Sequence, residues 1–246
     1  MSGHSKWSTI KRQKESLDQK RGQVFTKLAR AITLAVRESG GNTDSTSNFK
    51  LRLAIEKAKT SNMPRDNIER AIDRAAGKGE TASALEYVVY EGYGPGGIAV
   101  IVETATDNKQ RTSALLKHVF EHSGGNLGSS GSVSFLFQHQ GLISIKKTPT
   151  ITEDSVLEKA VEYGAIDMEI AEDAYEIYTE REQLHAVKEK LEQGGFALSG
   201  HSLVFRPQTA ITVTDKKQAD HLIAFMEELE NTEDVQEVFA NFELQV

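Results

Sequence analysis

The spacing of apolar residues changes once along this chain, near residue 85, and that change limits the folds it can adopt. Up to there the apolar residues recur every three or four positions, as in Phe25, Leu28 and Ile32, which is the period of an amphipathic helix. Beyond it come β-rich runs such as 98–104, which follow glycine-rich turns. The pattern predicts a helical N-terminal part followed by mixed α+β structure.

Three helices are expected before residue 80. The first covers about 24–38 and ends at Gly40, since glycine commonly closes a helix. The second covers about 49–59, and the third begins at Pro64, which suits a first helical turn, and closes at Gly77. Because short loops join these helices, they are predicted to pack as an antiparallel bundle.

The elements between residues 138 and 207 follow the order β-α-β-β-α-β, which is the split ferredoxin-like unit. The tail that follows is too small to bury a core alone, so it should complete a sheet begun before this unit. We therefore predict an α+β, multidomain fold. It consists of an N-terminal three-helix bundle (1–80), an α+β domain built from 81–137 and 208–246, and a ferredoxin-like α+β domain (138–207) inserted in it. A strand is expected at 133–137.

Charge is divided unevenly between the two parts of the chain. Residues 1–80 carry 17 Lys and Arg against nine Asp and Glu, a net charge of +8, whereas residues 81–246 carry 12 against 27, a net charge of −15. Within the basic part, the first 37 residues alone carry +7. Such a block of like charge indicates a segment that binds a polyanion such as nucleic acid. The acidic part has two interpretations, a solvated surface or a contact with basic proteins.

The candidate nucleic-acid-binding residues are the cations of the first segment and its tryptophan. Cations hold phosphates, and an exposed aromatic ring among them can stack on a base. Trp7 has an equally good alternative role, which is to pack the N-terminus onto the bundle. Helical spacing places Lys27 and Arg30 opposite the apolar stripe of the first helix. The predicted set is Lys6, Trp7, Lys11, Arg12, Lys14, Lys20, Arg21, Lys27 and Arg30.

Two sequence features could indicate an enzyme, but neither matches the pattern of a known catalytic or ligand site. The glycine-rich segment 124–131 follows a predicted helix, precedes a strand and contains no lysine, whereas a phosphate-binding loop has the reverse order and a Gly-Lys-Ser/Thr end. It is interpreted as a flexible connection. His118 and His122 share a helix face but have no third ligand with zinc-site spacing. We expect no catalytic residue, no metal and no cofactor.

The remaining composition bears on location. The chain contains no cysteine, which excludes disulfides and thiolate metal sites. It has no apolar run of bilayer length, and His4 and Lys6 stand where a signal peptide would need an apolar core. A cytoplasmic location, no membrane partner and a monomeric state are expected.

The chain resembles the YebC family at several separate places in the right order. The opening Gly3-His4-Ser5-Lys6-Trp7 is similar to the start of family members. Three later segments also match: Asn62 to Ile72 (NMPRDNIERAI), Tyr90 to Gly97 (YEGYGPGG), and Gly124 to Gly128 (GGNLG) followed by Gly131-Ser132-Val133. These matches cover nearly the full chain.

The resemblance implies three domains and a cytoplasmic, non-enzymatic regulator of gene expression. Family members are commonly described as transcriptional regulators that bind DNA. Related members, which include a mitochondrial translational activator, act in translation and associate with the ribosome. DNA and ribosomal RNA therefore both stand as partners, since we find no clear helix-turn-helix with base-reading side chains. A protein-interaction module is the further alternative.

Overall fold

The computed structural model describes residues 19–77 and 85–245, with side chains from Gly22 onward. It is mixed α+β, with helices at the N-terminus and several sheets after them, so the predicted fold class is confirmed. The chain forms two compact units. Of the described residues, the first unit holds 19–77, 85–132 and 220–238, and the second holds 133–219 and 239–245. The three-domain division remains a prediction.

Three helices form the N-terminal bundle, as the apolar spacing predicts. They are α1 (Gln19–Glu38), α2 (Phe49–Thr60) and α3 (Arg65–Ala75). Ile32 and Val36 of α1 and Leu51 of α2 are fully buried, and Ile68 of α3 joins them in one apolar core. Helix α1 packs against both α2 and α3.

Asn48 fixes the start of α2. Its side-chain oxygen accepts a hydrogen bond from the Leu51 amide at 3.1 Å, which caps one of the free N–H groups of the first turn. Its amide nitrogen donates to the Ala35 carbonyl at 3.0 Å, to Ser39 Oγ at 2.7 Å and to the Asn42 carbonyl at 2.9 Å. This one buried side chain therefore ties the end of α1 to the start of α2.

A hairpin and a helix follow the bundle. Strands β1 (Glu86–Tyr93) and β2 (Ala99–Thr106) pair antiparallel over eight residues. Helix α4 (Lys109–His122) leads to the short strand β3 (Asn126–Leu127), which pairs antiparallel with the end of β1. The turn of this hairpin contains Gly94, Gly96 and Gly97, which precede the predicted β-rich run 98–104. The Gly94 amide donates to the Ile98 carbonyl at 2.8 Å.

The second unit contains the predicted β-α-β-β-α-β order. Its elements are β4 (Phe137–Lys146), α5 (Glu153–Tyr163), β5 (Asp167–Ile170), β6 (Ala174–Glu180), α6 (Leu184–Gln193) and β7 (Leu198–Pro207). The strands form one antiparallel sheet in the order β5-β6-β4-β7. A sheet with its two helices in this order is the ferredoxin-like arrangement.

The prediction of a strand at 133–137 is wrong. Residues Ser134–Leu136 form a 3₁₀ turn, closed by the Leu136 amide donating to the Val133 carbonyl at 2.9 Å, and the strand begins only at Phe137. The run is mostly apolar (VSFLF), which favours a strand, but Phe135 is 65% exposed. An apolar side chain left in solvent shows that tertiary contacts override the local pattern here.

The C-terminal part adds the last elements, β8 (Ile211–Val213), α7 (Lys216–Asn231), β9 (Val235–Ala240) and β10 (Phe242–Leu244). Strand β9 completes a four-stranded sheet in the order β3-β1-β2-β9. Strands β8 and β10 pair parallel to each other. The sequence does not predict β8, because it has three residues and only Val213 is buried.

Candidate nucleic-acid interface

The predicted binding residues divide into three groups by what the structure describes. Lys6, Trp7, Lys11, Arg12 and Lys14 lie outside the described residues. Lys20 and Arg21 belong to the first turn of α1, and only their backbone is described. Lys27 and Arg30 are described in full. A role in nucleic-acid binding remains a prediction for all nine.

Lys27 and Arg30 contact the C-terminal part of the first unit. The Lys27 ammonium donates to the carbonyl of Glu230. The Arg30 guanidinium donates to a Glu233 carboxylate oxygen at 2.5 Å and to Asp234 Oδ1 at 2.6 Å. Helical spacing correctly separates these cations from the apolar stripe, but that side of α1 faces carboxylates and a carbonyl oxygen. Any phosphate bound by these two side chains must compete with those partners.

Asp234 is the centre of this contact, with a side chain that is only 3% exposed. Its carboxylate also accepts hydrogen bonds from Arg111 Nη2 at 2.8 Å and from Thr112 Oγ1 at 2.6 Å. Burial opposes ionisation, but the bonds from Arg111, Thr112 and Arg30 outweigh it, so the pKa of Asp234 is lowered. One ionised carboxylate thus joins α1, α4 and the segment before β9.

Nothing in the sequence distinguishes Asp234 from the other carboxylates of the acidic part. It follows Glu233, whose side chain is 74% exposed, in a polar stretch typical of a solvated turn. Its main partner on α1 is 204 residues away in sequence. A single sequence gives no signal for a pair at that separation.

A second polar contact joins the bundle to the sheet. Lys57 of α2 forms an ion pair with Glu237 of β9 at 2.8 Å. Beside it, the Tyr87 hydroxyl donates to the carboxylate of Glu103 on β2. Burial and the nearby charge of Glu237 raise the pKa of Glu103 to about 7, although the Tyr87 hydrogen bond opposes this.

Replacing Glu103 by glutamine is expected to change how stability depends on pH. A pKa raised by folding means that the contribution of this carboxyl is fully present below its unfolded value, about 4.3, and is lost as pH rises through 7. The glutamine keeps an acceptor for Tyr87 and cannot ionise. We therefore expect Glu103→Gln to match the original protein at about pH 4 and to exceed its free energy of unfolding by about 1–3 kcal/mol at about pH 8.5.

Urea unfolding followed by circular dichroism at the two pH values measures this effect. The matched control is Glu86→Gln on β1, where the carboxylate is 58% exposed and pairs with Lys109. That change should alter stability by less than about 0.5 kcal/mol at either pH. A parallel loss of stability with pH in the original protein and in Glu103→Gln would contradict the assignment.

The glycine-rich segment is held in place by Glu91 of β1. The Gly131 amide donates to a carboxylate oxygen of Glu91, and the Gly128 amide donates to its carbonyl, both at 2.8 Å. Glu91 itself is 5% exposed. A phosphate would have to displace a buried carboxylate here, which agrees with rejecting a phosphate-binding loop. The segment is also more than a loose connection, since these bonds and β3 fix it to β1.

The two histidines of α4 stack with ring centroids 5.9 Å apart. Across residues 19–77 and 85–245, no group of three or more His, Asp or Glu side chains is placed to hold a metal ion. Within the same ranges, none of the helices combines the length and apolarity needed to cross a bilayer.

Comparison with known proteins places this architecture in a family. Residues 5–78 match the family description "TACO1/YebC protein N-terminal domain", and residues 85–242 match "TACO1/YebC second and third domain". A protein of Persephonella marina is 49% identical over 246 residues, which is 99% of this chain and 96% of the relative. One from Rubrobacter xylanophilus is 45% identical over 244 residues, again 99% and 96%. Both are named "Probable transcriptional regulatory protein".

A solved structure is similar to this chain over nearly its full length. The crystal structure of a conserved hypothetical protein from Aquifex aeolicus superposes with a TM-score of 0.84 at 43% identity, covering 94% of this chain and 93% of that one. The resemblance noted in the sequence is therefore confirmed, and this protein belongs to the TACO1/YebC family.

Proposed function

We propose that this chain is a non-enzymatic, nucleic-acid-binding regulator of gene expression that acts in the cytoplasm. The names of its relatives support a role in regulating transcription. DNA is the partner that we propose first. The observation that carries the proposal is the +7 charge of the first 37 residues, set against −15 in residues 81–246. That basic segment runs into α1, and the Arg30–Asp234 contact fixes α1 within the first unit.

The proposed contacts are of two kinds. The main contacts come from residues that precede α1 or belong to its first turn. The ring of Trp7 would stack on a base. The cations would hold phosphates, and they are Lys6, Lys11, Arg12, Lys14, Lys20 and Arg21. Lys27 and Arg30 follow these residues along α1. They contribute only where a phosphate replaces the Glu230 carbonyl or the Glu233 carboxylate, because those groups hold them already.

Charge reversal of Lys11, Arg12 and Lys14 tests the role of this basic segment. If about five cations contact duplex phosphates, the slope of log K against log salt should lie near −4 to −5, and three reversals should reduce it by about 3. Affinity for both duplex DNA and structured RNA should fall strongly, because the contacts are made with the backbone. Fluorescence anisotropy over a series of salt concentrations measures both quantities.

The matched control reverses three exposed lysines elsewhere, Lys146, Lys216 and Lys217. It makes the same change in net charge, so it separates a local contact from a general electrostatic effect. The control should retain the original slope. Unchanged affinity of the Lys11, Arg12 and Lys14 variant for both nucleic acids would exclude the basic segment as the binding site.

A translation factor bound to ribosomal RNA is the second candidate. The acidic residues 81–246 favour it, since they could contact basic ribosomal proteins while the N-terminal cations hold RNA. Co-sedimentation with ribosomes, compared with footprinting on promoter DNA, separates the two. Loss of function by variants in 81–246 that keep full nucleic-acid affinity would instead indicate a protein-interaction module.

A further inference from the structure

A groove of about 480 Å³ lies between α1 and α3 of the bundle. Its apolar wall includes Phe25 of α1 and Met63, which precedes α3. Phe25 is partly buried, so part of its ring is open to the groove. The volume falls within the range of ~300–1,000 Å³ that is usual for small-molecule sites. The groove can therefore hold a compact group with one flat apolar face.

The groove is basic although α3 as a whole is neutral. Arg30, Arg70 and Arg74 line it, and among the described residues no Asp or Glu does. At about 100° per residue, Arg70 and Arg74 lie on the side of α3 that lines the groove, together with Asn67 and Ala71. The carboxylates of α3 do not line the groove: Glu69 and Asp73 are turned away from it, and Asp66, one turn before Arg70, lies at its edge. The segregation leaves positive charge along one wall.

Arg70 and Arg74 supply the charge that is open to a ligand. Arg70 donates to the Asp66 carbonyl at 3.1 Å and to the Asn67 side-chain oxygen, both neutral acceptors. Arg74 lies one turn further along and is exposed, so the two side chains are neighbours on the helix surface. Arg30 closes the end of the groove, but Glu233 and Asp234 already match its charge.

We propose that this groove binds an unpaired nucleotide of a nucleic-acid strand, with its phosphates on Arg70 and Arg74 and its base against Phe25. The proposal rests on the proposed function and adds a subsite to it. A base offers a flat apolar face for the ring, and a phosphate accepts paired hydrogen bonds from a guanidinium. A base within a duplex cannot enter such a groove while it remains paired.

Binding of the full-length protein to a labelled single-stranded oligothymidylate and to the matching duplex tests the subsite. The double variant Arg70→Ala, Arg74→Ala should bind the single strand roughly tenfold more weakly, with the salt slope reduced by about 1.4. Phe25→Leu should weaken single-strand binding by about 5- to 100-fold, the loss of one stacked base, and leave the slope unchanged. Circular dichroism checks that Phe25→Leu, which keeps an apolar side chain in the bundle, is folded.

The control is Arg65→Ala, on the same helix but outside the groove, where the side chain is 88% exposed and pairs with Glu69. It should bind as the original protein does. Single-strand binding that survives the double variant but is lost on reversal of Lys11, Arg12 and Lys14 would overturn the subsite and leave the proposed function standing. No binding of DNA or RNA by the original protein would overturn both.

Two other outcomes also decide against the subsite. An equal loss for the single strand and the duplex would show that Arg70 and Arg74 act on backbone phosphates alone, which overturns the unpaired nucleotide. Binding of polyglutamate that depends on Arg70 and Arg74, without binding of the oligonucleotide, would assign the groove to an acidic protein segment.

Discussion

Replacing Asp234 by alanine is expected to lower the free energy of unfolding by about 3–5 kcal/mol. The change removes a buried carboxylate that accepts hydrogen bonds from Arg30, Arg111 and Thr112. Both guanidinium groups would then lose their main acceptor, and Arg30 is itself only 18% exposed. The loss should appear as a lower urea midpoint in unfolding followed by circular dichroism.

The neighbouring Glu233→Ala is the matched control. It removes a carboxylate that binds the same Arg30, but this one is 74% exposed, so the expected loss is below about 1 kcal/mol. Equal losses for the two variants would contradict the central position of Asp234. Asp234→Asn keeps the shape and one acceptor oxygen while removing the charge, and should fall between the two.

Lowering the pH should remove the stabilising effect of the Asp234 carboxylate. Since folding lowers the pKa of Asp234, its contribution to stability is present above its unfolded value, about 3.9, and is lost as pH falls below that value. The gap in stability between the original protein and Asp234→Asn should therefore narrow in acid. A gap that does not change between neutral and acidic pH would show that the charge of Asp234 does not stabilise the fold.

The elements that the sequence predicts correctly are those whose apolar pattern is matched by burial. Ile32 and Val36 recur at the helical period because α1 must bury that side, and the β-rich run 98–104 becomes strand β2, which is buried along nearly its whole length. The prediction of a strand at 133–137 fails because the apolar run there is not buried throughout, as the exposed Phe135 shows. Strand β8 is not predicted because three residues are too few to show the alternation of a strand.

The candidate site is less predictable than the fold. Helical period places Lys27 and Arg30 away from the apolar stripe, but it cannot say what meets them there. Their partners, Glu230 to Asp234, come from a segment more than 200 residues further along the chain. Charge in a single sequence therefore identifies a basic segment, whereas the division between surface cations and cations bound inside the fold needs the tertiary structure.

Gly125 should be among the least replaceable residues of the glycine-rich segment. A Cβ atom there would lie 2.4 Å from the Tyr93 carbonyl oxygen and 2.9 Å from Gly94 Cα, both backbone atoms of the β1 hairpin. Backbone at a hairpin cannot move aside as a flexible side chain can. Gly125→Ala is therefore expected to cost about 3–5 kcal/mol of unfolding free energy and to break the pairing of β3 with β1.

Gly124→Ala, at the adjacent position, separates close approach from backbone conformation. Gly124 has φ +75° but open space where a Cβ atom would lie, so alanine there should cost only about 1–2 kcal/mol. Urea unfolding gives the two losses, and hydrogen exchange at the Gly128 amide, which donates to the Glu91 carbonyl of β1, reports whether β3 stays paired. Equal losses would mean that the left-handed conformation of the segment matters more than the contact of Gly125 with the hairpin. A larger loss at Gly125, with faster exchange at the Gly128 amide, would assign the glycine requirement to the close packing of this segment on β1.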